Sequence, residues 1–151
     1  PNSNIEAHSV NIDEDNINLL NSSSIIVDTT DNWHTSKFIN KYCVKQSINL
    51  IFSSAVSHDI QVCFFPNNNN EHICLNCLFP NKDDVELPRC ETVGISATAA
   101  GIAGLITAQK TINSLLNFNN EDNILTLFNV MKAKMQKIKV KNNQDCLLNK
   151  C

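Results

Sequence analysis

The sequence predicts an α/β domain built on a parallel sheet, and three observations carry that prediction. Ile25-Ile26-Val27 is a short apolar run, as expected of a parallel strand buried on both faces, and Ile48 to Phe52 reads as another buried strand. Between them lies a helix-period stripe of Phe38, Ile39, Tyr42 and Cys43, spaced i, i+1, i+4, i+5. Strand, helix, strand in that order is the unit of a parallel sheet, because parallel neighbours need a crossover between them.

The elements follow in chain order. Residues 1 to 10 read as the end of one strand, anchored by Ile5 and Val10. Ile12 to Leu20 reads as a short helix, with Asp13, Glu14 and Asp15 at its positive end. The strand Ile25 to Val27 runs straight into Asp28-Thr29-Thr30-Asp31-Asn32, and a helix spans Thr35 to Gln46. Ile48 to Phe52 and Gln61 to Phe65 are the next strands, the second ended by a Pro-Asn loop. Cys74 to Arg89 reads as loop. Thr92 to Leu116 is a long helical region rich in small residues, with Gly94, Gly101 and Gly104, suited to close packing on a sheet. Ile124 to Val130 and Lys134 to Val140 form a hairpin whose second arm alternates lysines and Gln136 with Met135, Ile138 and Val140, so one face is wet.

Composition narrows the function. A chain of 151 residues is one domain, long enough to bury a core. With 12 basic and 15 acidic residues and Arg89 as the single arginine, it lacks the clustered cations of a nucleic-acid surface. No apolar run approaches the roughly 20 residues of a membrane span. The chain starts at Pro1 without a signal-peptide pattern, which reads as a piece of something longer. Seven cysteines, an odd count, point to a cytoplasmic chain using thiols for metal or catalysis rather than disulfides.

Three constellations can carry chemistry. Cys74-Leu75-Asn76-Cys77 and the terminal pair Cys146 and Cys151 offer four thiolates at short spacings, the donor set of a tetrahedral zinc. Such a site clamps the tail to the middle of the chain; the alternative is two unrelated thiol pairs, and His72 is a rival ligand. Asp28, Asp31 and Asn32 lie just after a strand, where open α/β sheets bind ligands, and can hold Mg²⁺ and a nucleotide's phosphates. The same residues also suit ordinary turn and helix-cap chemistry, and both readings stand. Cys90, between Arg89 and Glu91 at the start of the long helical region, has the cation and helix N-terminus that favour a thiolate nucleophile; burial as an inert thiol is its alternative. Cys43 and Cys63 fall on core positions, and His8, His34 and His58 read as surface or loop residues.

Assembled, these pieces resemble the ThiF/MoeB/HesA family of adenylyltransferases related to ubiquitin-activating enzyme. The resemblance rests on Val27-Asp28-Thr29-Thr30-Asp31-Asn32 with Asn40 nine residues after Asp31, then Cys74-x-x-Cys77, Cys90-Glu91-Thr92-Val93-Gly94-Ile95, Gly101-x-x-Gly104 and the final cysteine pair. It implies a Rossmann-like, mostly parallel sheet with flanking helices, C-terminal antiparallel strands and a four-cysteine zinc site. It implies adenylation of the C-terminal glycine of a ubiquitin-like sulfur carrier, for thiamine or molybdopterin-type sulfur transfer, using ATP and Mg²⁺. Asp31 is then the magnesium- and phosphate-binding aspartate, with Asn32 and Asp28 in the same loop. Cys90 matches the family's reactive cysteine, and Cys74, Cys77, Cys146 and Cys151 match its structural zinc ligands.

The departures are specific. Four residues separate Cys146 from Cys151, where the family usually has two. Ser36 and Lys37 stand where an arginine is common, and lysine cannot reproduce a bidentate arginine contact. Thr98 replaces a usual proline, and the phosphate-cradling G-x-G-x-x-G is missing. The chain therefore reads as residues 1–151 of a C-terminal half, with the glycine-rich half upstream as its partner, in a homodimer that touches neither nucleic acid nor membrane. Two further readings are a zinc-stapled, non-catalytic docking module for a small β-grasp protein, and an enzyme that activates the carboxyl end of a peptide.

Overall fold

The computed structural model describes residues 3–67, 73–80, 93–119, 121–146 and 148. One five-stranded mixed sheet runs in chain order, from β1 (Ile25–Asp28) and β2 (Asn49–Val56) through β3 (Asp59–Phe65) to β4 (Ile124–Asn129) and β5 (Lys134–Lys139). Helices α1 (Trp33–Gln46) and α2 (Leu75–Leu78) cover one face, and α3 (Ala97–Leu115) covers the other.

Only β1 and β2 pair in parallel, with Ile25 opposite Asn49 and Asp28 opposite Phe52. The pairs β2–β3, β3–β4 and β4–β5 are antiparallel, so the expectation of a mostly parallel sheet is corrected. For β2–β3 the cause is the connection. Val56 pairs with Asp59 across a turn of only Ser57 and His58, and so short a link can only make a hairpin. Ser57 adopts φ +55°, and its N–H and C=O bond Gly94 and Ser96, which ties this turn to the entry of α3. Gly94, at φ +77°, occupies the left-handed region that side chains disfavour.

Strand alternation sorts the core into two layers. Leu50, Phe52, Cys63 and Phe65 face α1 and α2, while Ile51, Val62 and Phe64 face Ala99 and Ala103 of α3. Leu50, Ile51, Val62 and Phe65 are fully buried, each worth roughly 1.5–3 kcal/mol of transfer free energy.

Several local expectations are also corrected. Residues 3–10 form no strand, and the predicted Ile12 to Leu20 helix shrinks to a 3-10 turn at Ile17–Leu20. Val27 is exposed on the sheet face away from α1, so β1 is not buried on both sides. Within the predicted 74–89 loop, α2 forms one helical turn; residues 81–92 lie outside the described ones. The buried stripe of α1 is Ser36, Ile39, Asn40 and Cys43, two of them polar. In α3 the alanines make the close face, whereas a Cβ added at Gly101 or Gly104 would meet nothing within 4 Å. The β4–β5 hairpin is as expected, but all of β5 is exposed, because no layer covers this edge among the described residues.

Candidate functional site

The carboxyl end of β1 delivers residues 28–32 into the start of α1. Asp28 is buried, and its Oδ1 accepts from the Thr30 N–H at 3.0 Å and the Thr30 hydroxyl at 2.7 Å. The Thr30 and Ser36 hydroxyls lie 3.2 Å apart, bracing the loop against the helix. Asn32 is the N-cap of α1, accepting from the Thr35 N–H at 3.1 Å. With Asp28 turned inward and Asn32 engaged as a cap, Asp31 projects between them as an exposed carboxylate. It lines an open groove of about 1420 Å³ walled by the loop, the outer face of β1 and β2, and α3 from Ala100 to Ile112. The Asp28 Oδ2 is buried without a hydrogen-bond partner among the described residues.

The second centre lies on the α1 face. The thiols of Cys74, Cys77 and Cys146 lie within 4.8 Å of one another, all three buried, and Cys74 and Cys146 Sγ are 3.8 Å apart. Helix α2 makes this possible: Cys77 donates its N–H to the Cys74 carbonyl at 2.9 Å, closing the C-x-x-C turn so that both sulfurs face one way. The hydrogen bond that the Cys74 thiol donates to Cys77, together with burial, holds the Cys74 thiol well above its usual range, and burial does the same to Cys146. The backbone N–H groups of Asn76 and Leu148 oppose this by favouring the Cys74 and Cys146 thiolates respectively. Three converging sulfurs with amide N–H support form a donor set that can hold a soft or borderline metal.

The two centres share α1. Asn32 caps its start, while Asn40, two turns on, accepts from the Leu75 N–H at 3.0 Å. Phe79, just past α2, stacks edge-on against Trp33 at 5.4 Å and Phe52 at 6.2 Å. Cys43 and Cys63 are core thiols, as expected. His8 and His34 are exposed and His58 sits in the β2–β3 turn. Cys90, Cys151 and His72 lie outside the described residues. Ser36 and Asn40 are the functional-site neighbours that hydrophobic periodicity misses. The available signal was their i, i+3, i+4, i+7 register with Ile39 and Cys43.

A parallel strand ending in an acidic loop, with a cysteine turn pinned to the next helix, defines an α/β domain that keeps an acidic loop and a thiol cluster on one helix. Residues 1–148 match the ThiF family model, and the chain belongs to the ThiF family. It is 31% identical over 146 residues to the adenylyltransferase and sulfurtransferase MOCS3 of Aedes aegypti, covering 94% of this chain and 33% of that protein. It is 27% identical to the sulfur carrier protein ThiS adenylyltransferase of Escherichia coli strain K12, covering 82% of this chain and 49% of that one. Among solved structures it resembles the E. coli MccB crystal structure, with a TM-score of 0.76 at 14% identity over 94% of this chain and 44% of that one. The chain thus spans between a third and half of the length of these relatives.

Proposed function

We propose that this chain is the C-terminal part of an enzyme that adenylates the C-terminal glycine of a ubiquitin-like sulfur-carrier protein. The observation that carries this reading is Asp31, exposed at the carboxyl end of the parallel strand β1 and facing the groove. The relatives named as adenylyltransferases support it. In the reaction, a carrier carboxylate oxygen bonds the α-phosphorus of ATP and the bond to pyrophosphate breaks, leaving an acyl adenylate. Asp31 holds Mg²⁺, which offsets triphosphate charge. Asn32 and Asp28 keep the loop in shape, one as helix cap and the other through Thr30. Edge strand β1 and the groove receive the glycine-rich half upstream, which supplies the phosphate cradle. Cys74, Cys77, Cys146 and Cys151 hold a structural zinc, and Cys90 serves the later sulfur-transfer or thioester step.

Carrier-dependent exchange of pyrophosphate into ATP tests the proposal. The enzyme with its upstream half exchanges, Asp31→Ala abolishes exchange, and residues 1–151 alone do not exchange. Cys90→Ser leaves exchange intact and impairs sulfur transfer. Undiminished exchange by Asp31→Ala sinks the assignment.

A further inference from the structure

Helix α2 is a single turn, Leu75–Leu78, preceded by Cys74 as its N-cap, and Cys74 gives it no side-chain cap. The cap comes instead from a residue 35 positions earlier than Leu75. Asn40 on α1 is fully buried, and its Oδ1 accepts from the equally buried Leu75 N–H at 3.0 Å. Its Nδ2 donates to the Asn76 Oδ1 at 3.4 Å. One carboxamide therefore grips both residues between the two cysteines of the C-x-x-C turn. An amide suits the place, since it offers an acceptor for the peptide N–H and a donor for the second carboxamide. The backbone N–H of Asn76 in turn favours the Cys74 thiolate. Partners of this kind, one bond removed from the ligands, set ligand orientation and metal affinity.

We propose that Asn40 is a positioning residue for the cysteine centre, fixing the C-x-x-C turn through Leu75 and Asn76 so that Cys74 and Cys77 present their sulfurs to one metal ion. The inference rests on the zinc reading given above. It also makes α1 the rigid link between the centres, since Asn32 caps the helix about 12 Å along its axis from Asn40.

The test is metal affinity of the full chain, read with zinc in competition with a chromogenic chelator. The tetrahedral cobalt(II)–thiolate spectrum of the cobalt-substituted protein is the second readout. Asn40→Ala is expected to weaken zinc binding roughly 10–100-fold and to alter the cobalt bands. Thr107→Val, which removes a buried hydrogen bond in the opposite core layer, is expected to leave both unchanged. Asn76→Ala, which keeps the Leu75 contact, is expected to lose affinity several-fold, and it decides the matter if Asn40→Ala does not fold. Wild-type affinity and wild-type cobalt bands in whichever variant folds overturn the proposal. A wild-type chain that binds neither metal overturns the zinc reading itself, a different result.

Discussion

At the scale of single residues, burial decides which thiols can react. Cys43 and Cys63 are completely enclosed, and desolvation pushes each thiol up to about 12. The nearby Asp28 charge adds to the effect at Cys43. Both should resist iodoacetamide in the folded protein at pH 8 and become alkylated in denaturant; peptide mass mapping distinguishes the two states. The same shift makes a stability prediction. Above the ordinary thiol pKa of 9.0 the unfolded chain loses these protons while the folded chain keeps them, up to about 12. Stability is therefore fully present below pH 9 and falls as pH rises, by about 1.4 kcal/mol per thiol per pH unit. Urea midpoints from pH 8 to 11 should fall, and the Cys43→Ala, Cys63→Ala double variant should show a shallower decline.

Helix α3 shows how one element holds two kinds of small residue for different reasons. Ala99 and Ala103 lie against the sheet, and Thr107 donates its hydroxyl to Ser53 at 2.9 Å inside the core. Thr107→Val leaves the Ser53 hydroxyl without this partner and should cost about 1–3 kcal/mol. Gly101 is exposed in mid-helix with open space where a Cβ would go. Gly101→Ala should therefore stabilise the chain by roughly 0.5–1 kcal/mol, through helix propensity alone. Chemical denaturation measures both, and the opposite signs are the point of the pair. In α1 the buried register contains Ser36 and Asn40 beside Ile39 and Cys43. That helix packs through hydrogen bonds as well as apolar contact, which a count of hydrophobic positions passes over.

For the molecule as a whole, the cysteine centre joins segments that lie far apart in sequence, with Cys74 and Cys146 72 positions apart. A metal bound only in the folded state stabilises by mass action, about 4 kcal/mol when free zinc is a thousandfold above its Kd. For a domain of this size that raises Tm by about 8–16 °C. Calorimetry of zinc-loaded and chelator-stripped protein should show this difference, and Cys77→Ser should remove it. Equal Tm values with and without zinc would contradict a structural clamp. No described helix is long and apolar enough to cross a membrane.

Local pattern in the chain places most of the elements and marks the candidate site residues. The apolar run at Ile25, the helix ending at Gln46, and the β4–β5 hairpin depend on periodicity, which neighbours in the chain share. The C-x-x-C pair and the Asp-x-x-Asp-Asn loop are likewise local patterns. The direction of pairing is less legible: a buried apolar strand looks alike in parallel and antiparallel ladders, the two-residue turn at Ser57 and His58 sets it for β2 and β3, and the antiparallel match of β3 with β4 spans a long connection that includes α3. Convergence of Cys146 on Cys74 and Cys77 belongs to the tertiary structure too, as does the grip of Asn40 on Leu75. A polar side chain in a helix carries the same sequence signal whether it meets water or a peptide N–H from a distant segment. Only packing of α1 against α2 excludes the water and turns Asn40 into part of a site.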